Sequence, residues 1–422
     1  MDYFSYKDTV YHAEDVAIPK IADAVDTPFY CYSSATIERH YKVFSSAFGD
    51  MDAKICFAVK ANDNLAVLAT MAKMGAWADV VSAGEIRRAM KAGIKADNIV
   101  FSGVGKTREE MFYALEQGIY QFNVESEPEL RLLNEVALEI GKKAPVAMRI
   151  NPDVDPKTHA KISTGQKESK FGVAMSHAHD IYRLADSLAG IVIQGVSIHI
   201  GSQLTTLEPF AQAFSKVREF ITELKEDGIA LKTLDLGGGL GIPYGKEQPP
   251  LPEFYADIVK ENTKGLNLRL LFEPGRIMVG NAGILVTKVL YVKRGENRIY
   301  VIVDAAMNDL MRPALYDAYH EIVPIVPSTG ETRTEMVDVV GPVCETSDIF
   351  AEQRLMKIPK VGDLLAFRSA GAYGASMAGT YNSRPLVAEI MVKGENFSVI
   401  RPRQTYDELI GRDMLPEWLE RK

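Results

Sequence analysis

The chain has 422 residues, more than one hydrophobic core usually supports, and 47% apolar with 25% charged residues is ordinary for a soluble protein of two domains. A net charge of −8 and a pI near 5.6 argue against a nucleic-acid surface and against an anionic membrane. No basic-then-apolar leader or bilayer-length apolar run is visible, and three scattered cysteines, Cys31, Cys56 and Cys344, form neither a disulfide framework nor a metal pattern, which suits a reducing cytoplasm.

Residues 1–29 are read as an N-terminal segment packing with a later β domain. The run Phe29-Tyr30-Cys31-Tyr32 suits either that domain or the next, which begins at residue 30 and extends to 276. Within it, β-rich runs are predicted as strands at Lys54–Val59, Ala78–Ser82, Ile99–Ser102, Gln121–Val124, Val146–Ile150, Ile191–Ile200, Thr233–Leu236 and Arg269–Phe272. Helical patterns fall between them at Ala66–Met74, Ala83–Ala92, Glu109–Gln117, Glu127–Ile140 and Phe210–Asp227. Eight strands alternating with helices over about 250 residues predict an α/β fold, a closed (β/α)₈ barrel of TIM type. An open doubly wound sheet is disfavoured because polar and glycine-rich signals follow nearly every strand instead of gathering at one switch point. Residues 277–422 change character. Ile284–Lys293, Ile299–Asp304, Glu335–Val340, Leu364–Arg368, Leu386–Lys393 and Asn396–Ile400 predict a mainly antiparallel β domain, closed by a terminal helix.

Two successive barrel strands end in turns that bare backbone N–H groups, Gly237-Gly238-Gly239 and Glu273-Pro274-Gly275-Arg276, and the second adds an arginine. The loops after strands seven and eight are where such barrels commonly hold phosphate. Lys60, ending the first strand, then faces that cradle across the same rim. A phosphate cradle opposite a lysine points to pyridoxal 5'-phosphate held as a Schiff base. Taken alone, Lys60 reads equally as a solvated terminal charge, and Glu273 with Arg276 as a surface ion pair.

At Ala58–Asn62, His199-Ile200-Gly201-Ser202, Gly237–Gly241, Glu273–Arg276, Gly341–Glu345 and Gly371-Ala372-Tyr373-Gly374 the chain resembles the fold-type III pyridoxal-phosphate decarboxylases. Within that group it is similar to the branch acting on meso-diaminopimelate. The motifs run in family order from about residue 30 to 410. Each is weak alone; together and in order they are specific.

The resemblance implies that Lys60 carries the cofactor and that Asp79 stands behind it, although Asp79 also reads as a surface acid flanking a helix. It implies that Glu273 bonds the pyridine nitrogen, where the related racemases place a cation, so the ring becomes a strong electron sink and loss of carboxylate is favoured. His199 stacks on the ring, and Ser202, Gly237, Gly238, Gly239, Gly275, Arg276 and Tyr373 serve the cofactor and its phosphate. Arg276, Arg312 and Tyr316 hold the distal substrate carboxylate, with Tyr373 also near the substrate and Glu345 contacting the distal amine. A guanidinium suits planar, bidentate recognition of a carboxylate. Cys344 is a proton donor that, with Glu345, reaches the active site of a partner subunit, so the active form is a two-fold homodimer with shared sites. Read without the resemblance, Arg312 is a surface residue, His199 a core histidine and Cys344 a packed thiol. His159–Ile162 and Ser169–Gly172 bracket a stretch corresponding to a loop that closes over substrate. The activity implied is decarboxylation of an amino acid to L-lysine and CO₂, in the cytoplasm, with a small-molecule substrate and no nucleic-acid or membrane partner. Alternatives are a decarboxylase of ornithine, arginine or carboxynorspermidine type, or a non-catalytic carrier of pyridoxal phosphate.

Overall fold

A computed structural model describes residues 2–155, 170–327 and 333–419. The chain forms two compact units: Ile37–Gly280, and Met1–Thr36 together with Asn281–Lys422. The division falls inside the helix Ser34–Ser46.

The first unit is the barrel. Its strands are β1 (Ala53–Ala58), β2 (Trp77–Val80), β3 (Ile99–Phe101), β4 (Gln121–Val124), β5 (Ala144–Asn151), β6 (Ile191–Ser197), β7 (Thr233–Asp235) and β8 (Arg269–Phe272). Each pairs in parallel with the next, and β8 pairs with β1 through Leu270↔Ala53, Leu271↔Lys54 and Phe272↔Ile55, so no edge remains among the eight. The strands are short and buried along almost their whole length, so Ile99–Phe101 reads as a continuous apolar run, while Gln121–Val124 is buried although polar and apolar residues alternate in it. Helices begin soon after several strands because a cap waits at the turn. Asn64, Ser82, Thr107 and Ser126 each accept a backbone N–H from the first turn of the following helix, worth about 1 kcal/mol apiece. Thr107 and Glu110 complete a reciprocal capping box, and Gly118 at φ 72° closes that helix.

Two predicted strand ends are corrected. The Ile191–Ile200 run leaves the sheet after Ser197, so His199 stands in the loop beyond β6, and Ser82 belongs to the next helix as its cap.

The second unit is built on Gly283–Arg294, which pairs antiparallel with Phe29–Ser33, Ile299–Val303 and Leu364–Phe367. Phe29–Ser33 also pairs with Ala388–Lys393, so this early run is an interior strand of the β unit. A small antiparallel sheet, Phe4–Lys7, Val10–Ala13 and Val16–Ala17, shares its core: Phe4, Tyr11 and Val16 bury with Ile284, Ala366 and Ile390. Each such side chain is worth roughly 1.5–3 kcal/mol of burial. Ile349–Lys357 is a strand the pattern does not announce, because Glu352-Gln353-Arg354 interrupts alternation at a bulge where Gln353 takes φ 45°.

Candidate active site

The C-terminal ends of the barrel strands bring ionisable groups together. Lys60 sits in the 3₁₀ turn that follows β1, and its Nζ lies 2.6 Å from Oδ2 of Asp79 on β2. Asp79 is fully buried, and its Oδ1 has no hydrogen-bond partner. A buried acceptor left open beside an amine is costly unless a further donor arrives.

Beside them, Asp235 of β7 and Glu273 after β8 form a buried pair of carboxyls. Asn123 Nδ2 donates to Asp235 Oδ2 at 2.8 Å and to Glu273 Oε1 at 3.1 Å, and Ser102 Oγ donates to Glu273 Oε1 at 3.0 Å. Burial, then the neighbouring charges of Asp235 and Asp79, push the Glu273 carboxyl well above its usual range. Burial also lifts Asp235 to about 6, against the hydrogen bonds from Asn123 and the Gly237 N–H. Burial and their mutual repulsion thus bias both carboxyls toward their protonated forms.

The rim between these groups is made of backbone. Gly237 adopts φ 66°, and a Cβ there would lie 2.5 Å from Ile198 O; one on Gly238 would lie 2.3 Å from Glu273 O. Any side chain would drive the β7 loop away from the β6 and β8 loops. Glu273 N donates to Gly237 O at 2.8 Å, so the loops are also tied to each other. Gly275 precedes the short helix Arg276–Val279. Buried Arg276 donates to Tyr244 Oη at 2.6 Å and to Ser202 Oγ at 3.1 Å. His199 Nδ1 accepts the Gly238 N–H at 3.1 Å, which leaves the ring proton on Nε2. Burial and the cations Arg149 and Lys60 hold the imidazole well below its ordinary pKa, so it is neutral.

A polar layer supports this rim. Arg149 Nη1 meets Glu125 Oε1 at 3.1 Å, and its guanidinium lies 4.8 Å from the Phe171 ring centroid. Glu125 also accepts from the Gly103 and Gly172 N–H groups. Lys106 is sealed beneath, its Nζ 2.7 Å from each of Gly103 O, Asn123 O and Glu129 Oε1. Ser102, Asn123, Asp235, Arg149 and Lys106 escaped sequence reasoning. For Asn123 and Asp235 the signal was present: Gln121/Asn123 and Thr233/Asp235 put polar residues on alternate positions of otherwise apolar strands, hence on one face.

The barrel thus gathers Lys60, Asp79, His199, Ser202, Gly237, Gly238, Gly239, Glu273, Gly275 and Arg276. The remaining predicted residues belong to the β unit. Arg312 opens the helix Arg312–Tyr316, is buried, and donates to His320 Nε2 at 2.9 Å. Cys344 and Glu345 lie on an exposed turn, with Cys344 N bonded to Asn382 Oδ1. Tyr373 takes φ 55° within Gly371–Gly374. Residues 159–162 and Ser169 of the predicted closing loop lie outside the described residues. Among the described residues no cluster suits a metal, and no helix is long and apolar enough to cross a membrane.

These residues fit a pyridine ring bearing an aldehyde and a phosphate. The amine of Lys60 suits the aldehyde, a cradle that a single Cβ would fill suits the phosphate, and a buried acid suits the ring nitrogen.

Residues 34–280 match the family model described as pyridoxal-dependent decarboxylase, pyridoxal binding domain. The chain is 52% identical to the diaminopimelate decarboxylase of Zymomonas mobilis over 99% of both chains, and 51% identical to that of Haemophilus influenzae over 97% and 98%. Among solved structures, it resembles the diaminopimelate decarboxylase of M. jannaschii in complex with L-lysine, with 39% identity, TM-score 0.94 and 99% of each chain covered.

Proposed function

The chain belongs to the pyridoxal-dependent decarboxylases, and from that premise we propose that it decarboxylates meso-diaminopimelate at the D-configured carbon, yielding L-lysine and CO₂, with pyridoxal 5'-phosphate on Lys60. The observation that carries the reading is the buried acid Glu273 at the end of β8, in a barrel whose full-length relatives are diaminopimelate decarboxylases. Pyridoxal phosphate supplies, when bound, an aldehyde for amines and a ring that accepts the electron pair left by departing CO₂.

The chain's own residues do the rest. Lys60 offers the amine, and Asp79 at 2.6 Å orients it. Glu273 holds a proton at the ring nitrogen. His199, neutral and anchored by Gly238 N–H, presents a ring face for stacking. Gly237 and Gly238, with no room for a Cβ, shape the cradle and anchor Asp235 and His199 through their N–H groups, and Gly239, Gly275, Ser202, Arg276 and Tyr373 would take the phosphate through backbone N–H groups and polar tips. Arg276, Arg312 and Tyr316 hold the distal carboxylate, Glu345 the distal ammonium, and Cys344 or Lys60 returns the proton to carbon. Cys344 and Glu345 serve the barrel of a second copy, so the working form is a homodimer. Three free cysteines accord with a reducing cytoplasm.

The test is CO₂ release from meso-diaminopimelate compared with ornithine, arginine, lysine and carboxynorspermidine, with L-lysine identified as product. A preference for any substrate lacking the distal carboxylate overturns the pocket assignment. A yellow protein that releases no CO₂ from any of them would be a carrier.

A further inference from the structure

A single amide stands between the buried carboxyls of Asp235 and Glu273, and it is not free to turn. Thr233 Oγ1 donates to Gln121 Oε1 at 2.7 Å, and Gln121 Nε2 donates to Asn123 Oδ1 at 2.8 Å. With its oxygen taken, Asn123 must direct Nδ2 at Asp235 Oδ2, Glu273 Oε1 and Ser102 Oγ, at 2.8, 3.1 and 3.1 Å. The opposite rotamer would set Oδ1 against both carboxyls, acceptor to acceptor. All four residues of this relay, Thr233, Gln121, Asn123 and Asp235, are at most 1% exposed, so water cannot substitute for any of them.

We infer that Asn123 is a positioning residue whose amide decides where the Glu273 proton resides when the cofactor's ring nitrogen lies against that carboxyl. This rests on the reading that Glu273 meets the ring nitrogen. Two influences oppose each other at Glu273. Burial and the like charge of Asp235, with Asp79 behind it, favour the neutral acid, which would leave the nitrogen bare. Hydrogen bonds donated to Oε1 favour the carboxylate, which leaves the proton on nitrogen. Asn123 supplies one of these bonds and so adds to the second influence, while its bond to Asp235 holds that carboxyl in its charged form and in place. Lys60 is a cation acting on the group, and the buried thiol of Cys56 is a further titratable neighbour. The relay through Gln121 and Thr233 contributes only by fixing the amide.

The sign of the effect is testable in both directions. Asn123→Leu keeps the shape and removes the donor; Asp235→Asn removes the like charge. Each protein is reconstituted with pyridoxal phosphate labelled at the ring nitrogen, and the ¹⁵N signal is followed between about pH 6 and 9. Wild type should retain the protonated signature throughout. Asn123→Leu should lose it and turn over at least about tenfold more slowly, and Asn123→Leu/Asp235→Asn should regain the protonated signature. Gln121→Met, which leaves every group at the carboxyls in place, should shift the signal in the same direction by a smaller amount, and it serves if Asn123→Leu does not fold. A wild-type nitrogen signal in both Asn123→Leu and Gln121→Met overturns the inference, as does a double variant that stays deprotonated. Glu273→Gln separates this failure from failure of the underlying reading: if it leaves the nitrogen protonated, Glu273 is not at the ring at all.

Discussion

Replacing Lys106 by Met tests whether the layer under the rim holds the barrel together. The side chains of Lys106 and Glu129 are 1% and 6% exposed, and the ammonium makes three hydrogen bonds of 2.7 Å. Methionine fills the space but leaves two backbone carbonyls and a carboxylate without their donor. Removing one partner of a buried pair costs about 3–5 kcal/mol. At roughly 2–4 °C per kcal/mol for a unit of this size, the melting temperature of the apoprotein should fall by roughly 6–20 °C. Changing both partners, Lys106→Met/Glu129→Met, removes the stranded charge and should recover part of that loss, the two carbonyls accounting for the remainder. The pH dependence gives an independent sign. Burial already raises the Glu129 carboxyl, and losing Lys106 raises it further. The folded variant then binds a proton more readily than the unfolded chain, so its stability is greatest at low pH and is lost as pH rises through the folded pKa. The gap between wild type and Lys106→Met should therefore narrow on going from about pH 8 to pH 5. A fall of less than about 2 °C at pH 8, or a gap that widens on acidification, would refute the argument.

Lys60→Ala should purify without covalent cofactor and without activity, and borohydride reduction with peptide mapping of the wild type should label Lys60 and no other lysine. Glu273→Gln should bind cofactor yet lose at least roughly 10²-fold in kcat, measured by CO₂ release, since a neutral amide cannot hold the ring proton. Arg312→Ala should raise KM for diaminopimelate by the equivalent of about 1.5–3 kcal/mol, the scale of a charge-assisted bond, with cofactor absorbance intact. Lys60→Ala and Cys344→Ala proteins, mixed and allowed to exchange, should recover roughly a quarter of wild-type activity, because about half the dimers are mixed and each mixed dimer has one intact site of two. Exchange proven by mass without recovery would put Cys344 and Lys60 of each site in one chain.

The barrel was legible because its information is local. β-rich runs such as Gln121–Val124 and Arg269–Phe272 coincide with observed strands, whereas Ser82, read as a strand end, caps the helix that follows. The glycines at 237–239 were equally visible, since a chain that must bring bare backbone close to a neighbour can use little else. The β unit was harder to read. Phe29–Ser33 is a strong strand by composition, yet composition does not say that its neighbours are Gly283–Arg294 and Ala388–Lys393. The bulge at Gln353 hid a whole strand by breaking the alternation that would have revealed it.

From its sequence alone this protein is determined as an alternating barrel followed by a β-rich region, with a lysine at one strand end and an acid and glycine turns at others. Those features depend on residues a few positions apart, whose periodicity and turn chemistry act before any long-range contact forms. Only the tertiary structure decided what surrounds the acid. Asn123 reaches Asp235 across 112 positions and Glu273 across 150, and Lys60 meets Asp79 across 19. Pairing of β1 with β2 and closure of β8 onto β1 bring those neighbours together, and with them the burial and like-charge repulsion that raise the Glu273 carboxyl. A side chain's charge state depends on the groups packed around it, and that packing exists only once the barrel has closed.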